Sequence, residues 1–305
     1  MGANLWSDSA YSSLRADYST KSRDQIFKQR GLHKDMDPKG ISFRESRDSV
    51  EHPNSIAIAV NVDVTGSMGT IPEVLIKEKL GKLMNTLISH GVPDAHVLFS
   101  GIGDQYSDRA PLQVGQFEAG TDELDECLTK IYLEGNGGGQ NKESYSLAWL
   151  MAARHTSIDC FEKRNQKGFL FTIGDEGVHE ILEKEFLTDL LGYEVSENIS
   201  AKQLLSEAQR MYNVFHLHIT QTSTGEKQSI IDSWKSLLGE RAILVDDYNN
   251  ISEIIATTVA IISGESLQNV VASFDHRIAN SVTNALSNLS NDIYRADLND
   301  GVITL

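Results

Sequence analysis

The chain has 305 residues, 40% hydrophobic and 23% charged, enough to bury a sizeable core. Its 43 acidic residues against 27 basic ones give a formal charge of −16, which repels phosphate backbones and argues against a nucleic-acid partner. Cys127 and Cys160 show no CxxC spacing, the start has no apolar leader, and no run of about 18 apolar residues exists. A cytoplasmic protein without a membrane span is therefore expected.

Residues 1–54 are polar and near charge balance, with nine Lys/Arg and eight Asp/Glu. They read as an arm that wraps the main domain or stays loose. The main domain is expected over residues 55–263. "SIAIAVNV", Ser55 to Val62, is apolar on both faces, as a central strand would be. A helix follows, with Thr70 and Pro72 at its start, Ile76, Leu80, Leu83 and Leu87 at helical spacing, and Gly91 as its stop. "AHVLFSGI" and "PLQVGQF" read as strands. "TDELDECLTKIYLEG" and "NKESYSLAWLMAARH" read as helices. "GFLFTI" is a strand, "HEILEKEFLTDLLG" and "AKQLLSEAQRMY" helices, and "NVFHLHI" a strand. "QSIIDSWKSLLG", "RAILV" and "ISEIIATTVAIISG" continue as helix, strand, helix. This alternation predicts an α/β fold, a doubly wound and mostly parallel sheet with helices on both faces.

Residues 264–305 form a separate tail. Leu267, Val270, Val271, Phe274, Ile278, Val282, Leu286, Leu289 and Ile293 keep helical spacing. They predict one long amphipathic helix, about Glu265 to Tyr294, whose apolar stripe is either covered by its own domain or forms a seam for a second copy.

Ligands of open α/β sheets bind beyond the carboxyl ends of the strands. Three predicted strands end in oxygen-bearing loops: Asp63-Val64-Thr65-Gly66-Ser67, Gly103-Asp104 and Gly174-Asp175-Glu176. A Gly-rich segment, "EGNGGGQNKES", precedes the helix before the last of these. Asp, Thr and Ser at alternate positions direct three oxygens from one turn. With neither His nor Cys among them, such ligands select Mg²⁺, or Mn²⁺ or Ca²⁺.

These residues resemble the von Willebrand factor A family and its metal-ion-dependent adhesion site, D-x-S-x-S followed by a Thr and an Asp on later loops. "DVTGS" matches the first part, with Thr65 in place of the first Ser, and Asp175 in "TIGDE" matches the last. The Gly-rich loop has no Thr and offers Gln140, Asn141, Glu143 and Ser144 instead. "GIGDQYSDRAPLQVGQF" and "ARHTSIDCFEKR" are similar to a bacterial and phage intracellular subgroup. The resemblance covers about residues 55–263. It implies a non-enzymatic, Mg²⁺-dependent protein-binding module of Rossmann-like fold, with a metal set drawn from Asp63, Thr65, Ser67, Asp175, Asn141 and Asp104. The partner would present an Asp or Glu, and an AAA+ ATPase is the family-level candidate.

A rival reading is enzymatic. "DVTGS" also resembles the haloacid-dehalogenase motif, in which Asp63 would attack a phosphoryl group. Asp175 and Glu176 would then bind Mg²⁺, and Lys167 would stabilise charge. Val64 and Thr65 depart from that motif where Lys or a second Asp is usual. His216 and His218, on one strand face, suggest Zn²⁺ but lack a third ligand and read as packed histidines. His155 near Cys160 suggests a thiol nucleophile with no orienting partner, and "HEILE" at His179 lacks the second His of a zincin.

Overall fold

The computed structural model describes residues 4–135 and 141–300. Gln140, one of the candidates in the Gly-rich loop, lies outside the described residues, as do the side chains of Ile76 and Ile293. Twelve strands occur in the described chain: β1 Arg44–Ser46, β2 Ile56–Asp63, β3 Ala95–Ile102, β4 Leu112–Val114, β5 Lys142–Glu143, β6 Thr156–Ile158, β7 Gly168–Gly174, β8 Gly177–Val178, β9 Ile181–Leu182, β10 Ile199–Ser200, β11 Tyr212–Ile219 and β12 Ala242–Val245.

Six strands build the central sheet in the order β12-β11-β7-β2-β3-β4. Neighbours from β12 to β3 run parallel, but β4 runs antiparallel to β3 through Ser100–Val114 and Ile102–Leu112. The expected doubly wound, mostly parallel Rossmann-like sheet is thus corrected to a mixed α/β sheet. The cause is the connection Gly103–Pro111, which holds no helix. A parallel crossover needs a dozen or more residues, so this short link can only fold back.

β2 is buried along its whole length. Its alternate residues serve two layers. Val60 and Val62 face Leu75, Leu83 and Ile255, whereas Ala59 and Asn61 face Ala148, Met151 and Thr156. The helix after β2 is not uniform. Ile71–Val74 passes through a π-turn, Leu75–Lys79, before resuming at Leu80–Ser89. Ser252 Oγ donates to Lys79 O at 2.9 Å, which satisfies a carbonyl at that irregularity.

The arm of residues 4–54 lies on this core. β1 pairs in parallel with β6, and Arg44 Nη2 donates to Val114 O on the β4 edge at 3.2 Å. Arg47 reaches Asp159 at 2.9 Å and Glu162 at 2.7 Å, and Arg164 reaches Asp48 at 2.7 Å. Burial raises the Asp159 carboxyl. Lys163, the Asp48 amide and Arg47 outweigh that effect and hold it down at about 2.

The expected single C-terminal helix is corrected to two, Leu267–Val271 and His276–Asp300. Asp275 makes the break, its Oδ1 accepting the amides of Arg277 and Ile278. The described part of the apolar stripe is not a free seam. Val282, Leu286 and Leu289 are buried in the domain's own core, where the helix packs on Ile251–Ile262 and β12.

Leu286→Ala should therefore lower the unfolding free energy by about 2–5 kcal/mol in urea denaturation, whereas a free seam would give almost no change. The Asp159 cluster predicts an acid-labile arm. Its depressed carboxyl stabilises the docked state above the unfolded pKa of about 3.9. That contribution is lost as pH falls through about 2. Amide exchange of residues 44–48 should rise over this window, and in Asp159→Asn the dependence should weaken, with Asp48 and Glu162 of the same cluster, also held low, carrying the rest.

Candidate metal centre

Two neighbouring strands create the site. Val62 of β2 is level with Ile173 of β7, so Asp63 and Asp175 emerge side by side at the carboxyl end of the sheet. Both are fully buried. The turn after β2 then folds back on Asp63. The Thr65 amide and hydroxyl both donate to Asp63 Oδ1, at 2.9 and 2.6 Å, an Asx-type turn. A 3₁₀ turn, Gly66–Met68, follows and ends at Gly69, whose φ of 55° lies where glycine is favoured. The turn directs Ser67 Oγ across to Asp175 Oδ1 at 2.8 Å, with Thr65 Oγ1 3.4 Å from Ser67 Oγ. The four residues Asp63, Thr65, Ser67 and Asp175 thus form one hydrogen-bonded group.

Asn141 and Asp104 stand outside that network. Asn141 Oδ1 accepts from Lys227 Nζ at 2.7 Å. Asp104 accepts from Ser107 and the Tyr106 amide, and His179 Nε2 lies 2.8 Å from its Oδ1.

The structure adds two residues that the sequence motif does not reveal, Tyr145 and Thr222, and places Glu143, a candidate of the Gly-rich loop. Tyr145 donates its phenol proton to Asp63 Oδ2 at 2.7 Å. It passes over Gly174, where a Cβ would lie 1.9 Å from the phenol oxygen. Thr222 Oγ1 donates to Asp175 Oδ2 at 2.6 Å. Glu143 is buried on β5, and its Oε2 has no hydrogen-bond partner. Tyr145 and Thr222 carry no local signal, because they approach from distant loops.

Carboxylates crowd this end of the sheet. Burial first, and the Asp175 charge second, push the Asp63 carboxyl up, against the hydrogen bonds of Thr65 and Tyr145. Burial and the charges of Asp63 and Glu176 push Glu143 up. Burial and Asp175 raise Glu176 to about 7. Such uncompensated negative charge suits a cation. Among the described residues, no group of three or more His, Cys, Asp or Glu is arranged to hold a metal ion. An ion here would depend on hydroxyl oxygens as much as on carboxylates, and this oxygen-only donor set fits Mg²⁺.

The other candidates resolve as packing. His216 stacks on Trp234 with centroids 3.6 Å apart, and Thr172 Oγ1 lies 2.9 Å from its Nδ1. His218 Nε2 lies 2.8 Å from Gly225 O. His155 is engaged by Ile41 O and Tyr193, and Cys160 is a buried free thiol. Among the described residues, no helix is long and apolar enough to cross a membrane.

No protein-family model matches the chain, and no curated protein matches it in sequence. Distant solved structures do. The pilus adhesin SpaC of Lactobacillus rhamnosus GG, in its open conformation, is 12% identical with a TM-score of 0.46. That match covers 70% of this chain and 31% of the adhesin, so this chain spans about a third of its length. Proximal thread matrix protein 1 of the mussel byssus is 7% identical, with a TM-score of 0.43 over 72% of this chain and 48% of that one. The adhesive tip pilin GBS104 of Group B Streptococcus agalactiae is 11% identical, with a TM-score of 0.39 over 68% of this chain and all of that one.

The Asp63 environment predicts a pH-dependent cost in the metal-free chain. Its raised pKa means that stability is full below the unfolded value and is lost as pH rises through the folded one. In EDTA at pH 8, Asp63→Asn should be more stable than the parent by at least about 1.4 kcal/mol, one pKa unit. The gap should close near pH 4 in thermal melts.

Proposed function

We propose that the chain is a metal-dependent protein-binding module of von Willebrand factor A type. Asp63, Thr65, Ser67 and Asp175 would hold Mg²⁺, and a protein partner would bind there through an Asp or Glu carboxylate. The observation that carries this reading is the Ser67 hydroxyl spanning from the turn after β2 to Asp175 after β7. It gathers two carboxylates and two hydroxyls around one point, an oxygen-only set for a hard cation. Four protein oxygens leave positions of a six-coordinate ion open, and a partner carboxylate oxygen would complete it. Thr65 and Tyr145 fix the Asp63 carboxylate, and Ser67 and Thr222 fix that of Asp175, so the site is preorganised for binding.

Three features weigh against the phosphotransfer alternative. Asp63 accepts hydrogen bonds on both oxygens and is fully buried, which suits a held ligand better than a free nucleophile. Lys167 precedes β7, at the end opposite Asp175, and donates to Gln209 O at 2.6 Å. A strand of that length separates it from Asp63 by roughly 20 Å. Thr65 stands two residues after Asp63, where a phosphatase would carry its acid–base carboxylate.

Calorimetric titration should show Mg²⁺ or Mn²⁺ binding that is lost in Asp63→Ala and Asp175→Ala. At Mg²⁺ near 100 times its Kd the parent should gain about 2.7 kcal/mol of stability. Undiminished binding in Asp63→Ala would overturn the assignment. Turnover of an aryl phosphate, abolished in Asp63→Asn, would favour the enzyme instead.

A further inference from the structure

We infer that Thr222 is a positioning residue of the metal centre, holding Asp175 in the orientation that receives a divalent cation. The inference rests on the metal-binding reading above. It begins with the two oxygens of Asp175, which have different partners. Oδ1 faces Ser67, inside the cluster, and Oδ2 accepts the Thr222 hydroxyl at 2.6 Å. Fixing Oδ2 fixes the rotation of the whole carboxylate, and therefore the direction of Oδ1.

Thr222 is itself held. A hydroxyl has one proton, and here it goes to Asp175. Its oxygen accepts the Gly225 amide at 2.9 Å, so it acts through Asp175. The loop that carries it follows β11, the strand beside β7 in the sheet, and therefore leaves the sheet at the same end as Asp175. The Glu226 amide bonds Thr222 O at 3.1 Å, and the Lys227 amide bonds Thr224 O at 3.1 Å. His218, buried on β11, lies 2.8 Å from Gly225 O.

Gly225 closes the loop where no side chain fits. A Cβ there would lie 1.8 Å from Ile219 O, a backbone atom that cannot swing away. Lys227 then clasps Asn141 at the end of the Gly-rich segment. On the other side of Asp175, the Trp234 indole donates to Glu176 O at 2.8 Å and pins the following peptide. A loop tied at this many points orders Asp175 during folding, so its carboxylate needs no reordering when an ion arrives. Groups that orient a ligand in this way typically change metal affinity 10- to 100-fold when removed.

The test titrates the full chain with MgCl₂ by calorimetry. Thr222→Val keeps the shape and removes the proton donor, and it should weaken Mg²⁺ binding by about 10- to 100-fold. Thr222→Ser restores the donor and should bind within a few-fold of the parent. Gly225→Ala should displace the loop and weaken binding as Thr222→Val does. Thermal melts in EDTA report whether each variant is folded, and Thr222→Ala replaces Thr222→Val if that variant is not. If the parent binds Mg²⁺ and the donor-less variant binds as tightly, this inference falls and the metal site stands. If Thr222→Ser is as impaired as Thr222→Val, the role is one of shape and the inference also falls. If the parent binds no Mg²⁺, the metal reading falls and takes this one with it.

Discussion

The pairing of β2 with β7 places two carboxylates, Asp63 and Asp175, side by side in a buried site. Like charges at that separation, out of water, are costly unless something answers them. The surroundings answer in part. Thr65 and Tyr145 donate to one carboxylate, and Ser67 and Thr222 to the other. Gly174 lets the phenol reach across the strand end, and Gly225 lets the second loop close. The stacked His216–Trp234 pair packs edge-on against the Tyr145 ring. Hydrogen bonds spread the negative charge but do not cancel it.

The sequence carried some of this well. "AHVLFSGI" coincides with β3, because an apolar run bounded by turn residues has few other uses in an α/β chain. Asp63, Thr65 and Ser67 were readable as one unit because alternate residues of a single tight turn share a side. Strand direction was not readable. Periodicity is the same for parallel and antiparallel neighbours, and only the brevity of Gly103–Pro111 reveals that β4 turns back. The break at Asp275 was obscured by apolar spacing that continues across it, although Asp is a residue that caps. Tyr145 and Thr222 were invisible for a different reason. Each meets its carboxylate from a segment far along the chain, and a single sequence holds no record of such pairings.

The arm covers part of the sheet that would otherwise be open. Arg44 caps a carbonyl of the short edge strand β4, while β1 and β6 form a separate two-stranded ladder. Short, occupied edges discourage pairing between copies. The described part of the C-terminal stripe is covered by the domain itself. These two coverings explain why so polar a pair of termini remains attached to a core that could otherwise be drawn from residues 55–263.

The placement of β1 also sets an order of events in time. Residues 44–48 leave the ribosome early, but their partners, Thr156 to Arg164, follow more than a hundred residues later. Contacts of such separation close late, after local structure has formed. Residues 44–48 therefore stay without these partners until that later segment has emerged. The arm's polar, near-neutral composition suits a segment that has to stay in water during that interval without joining the wrong edge.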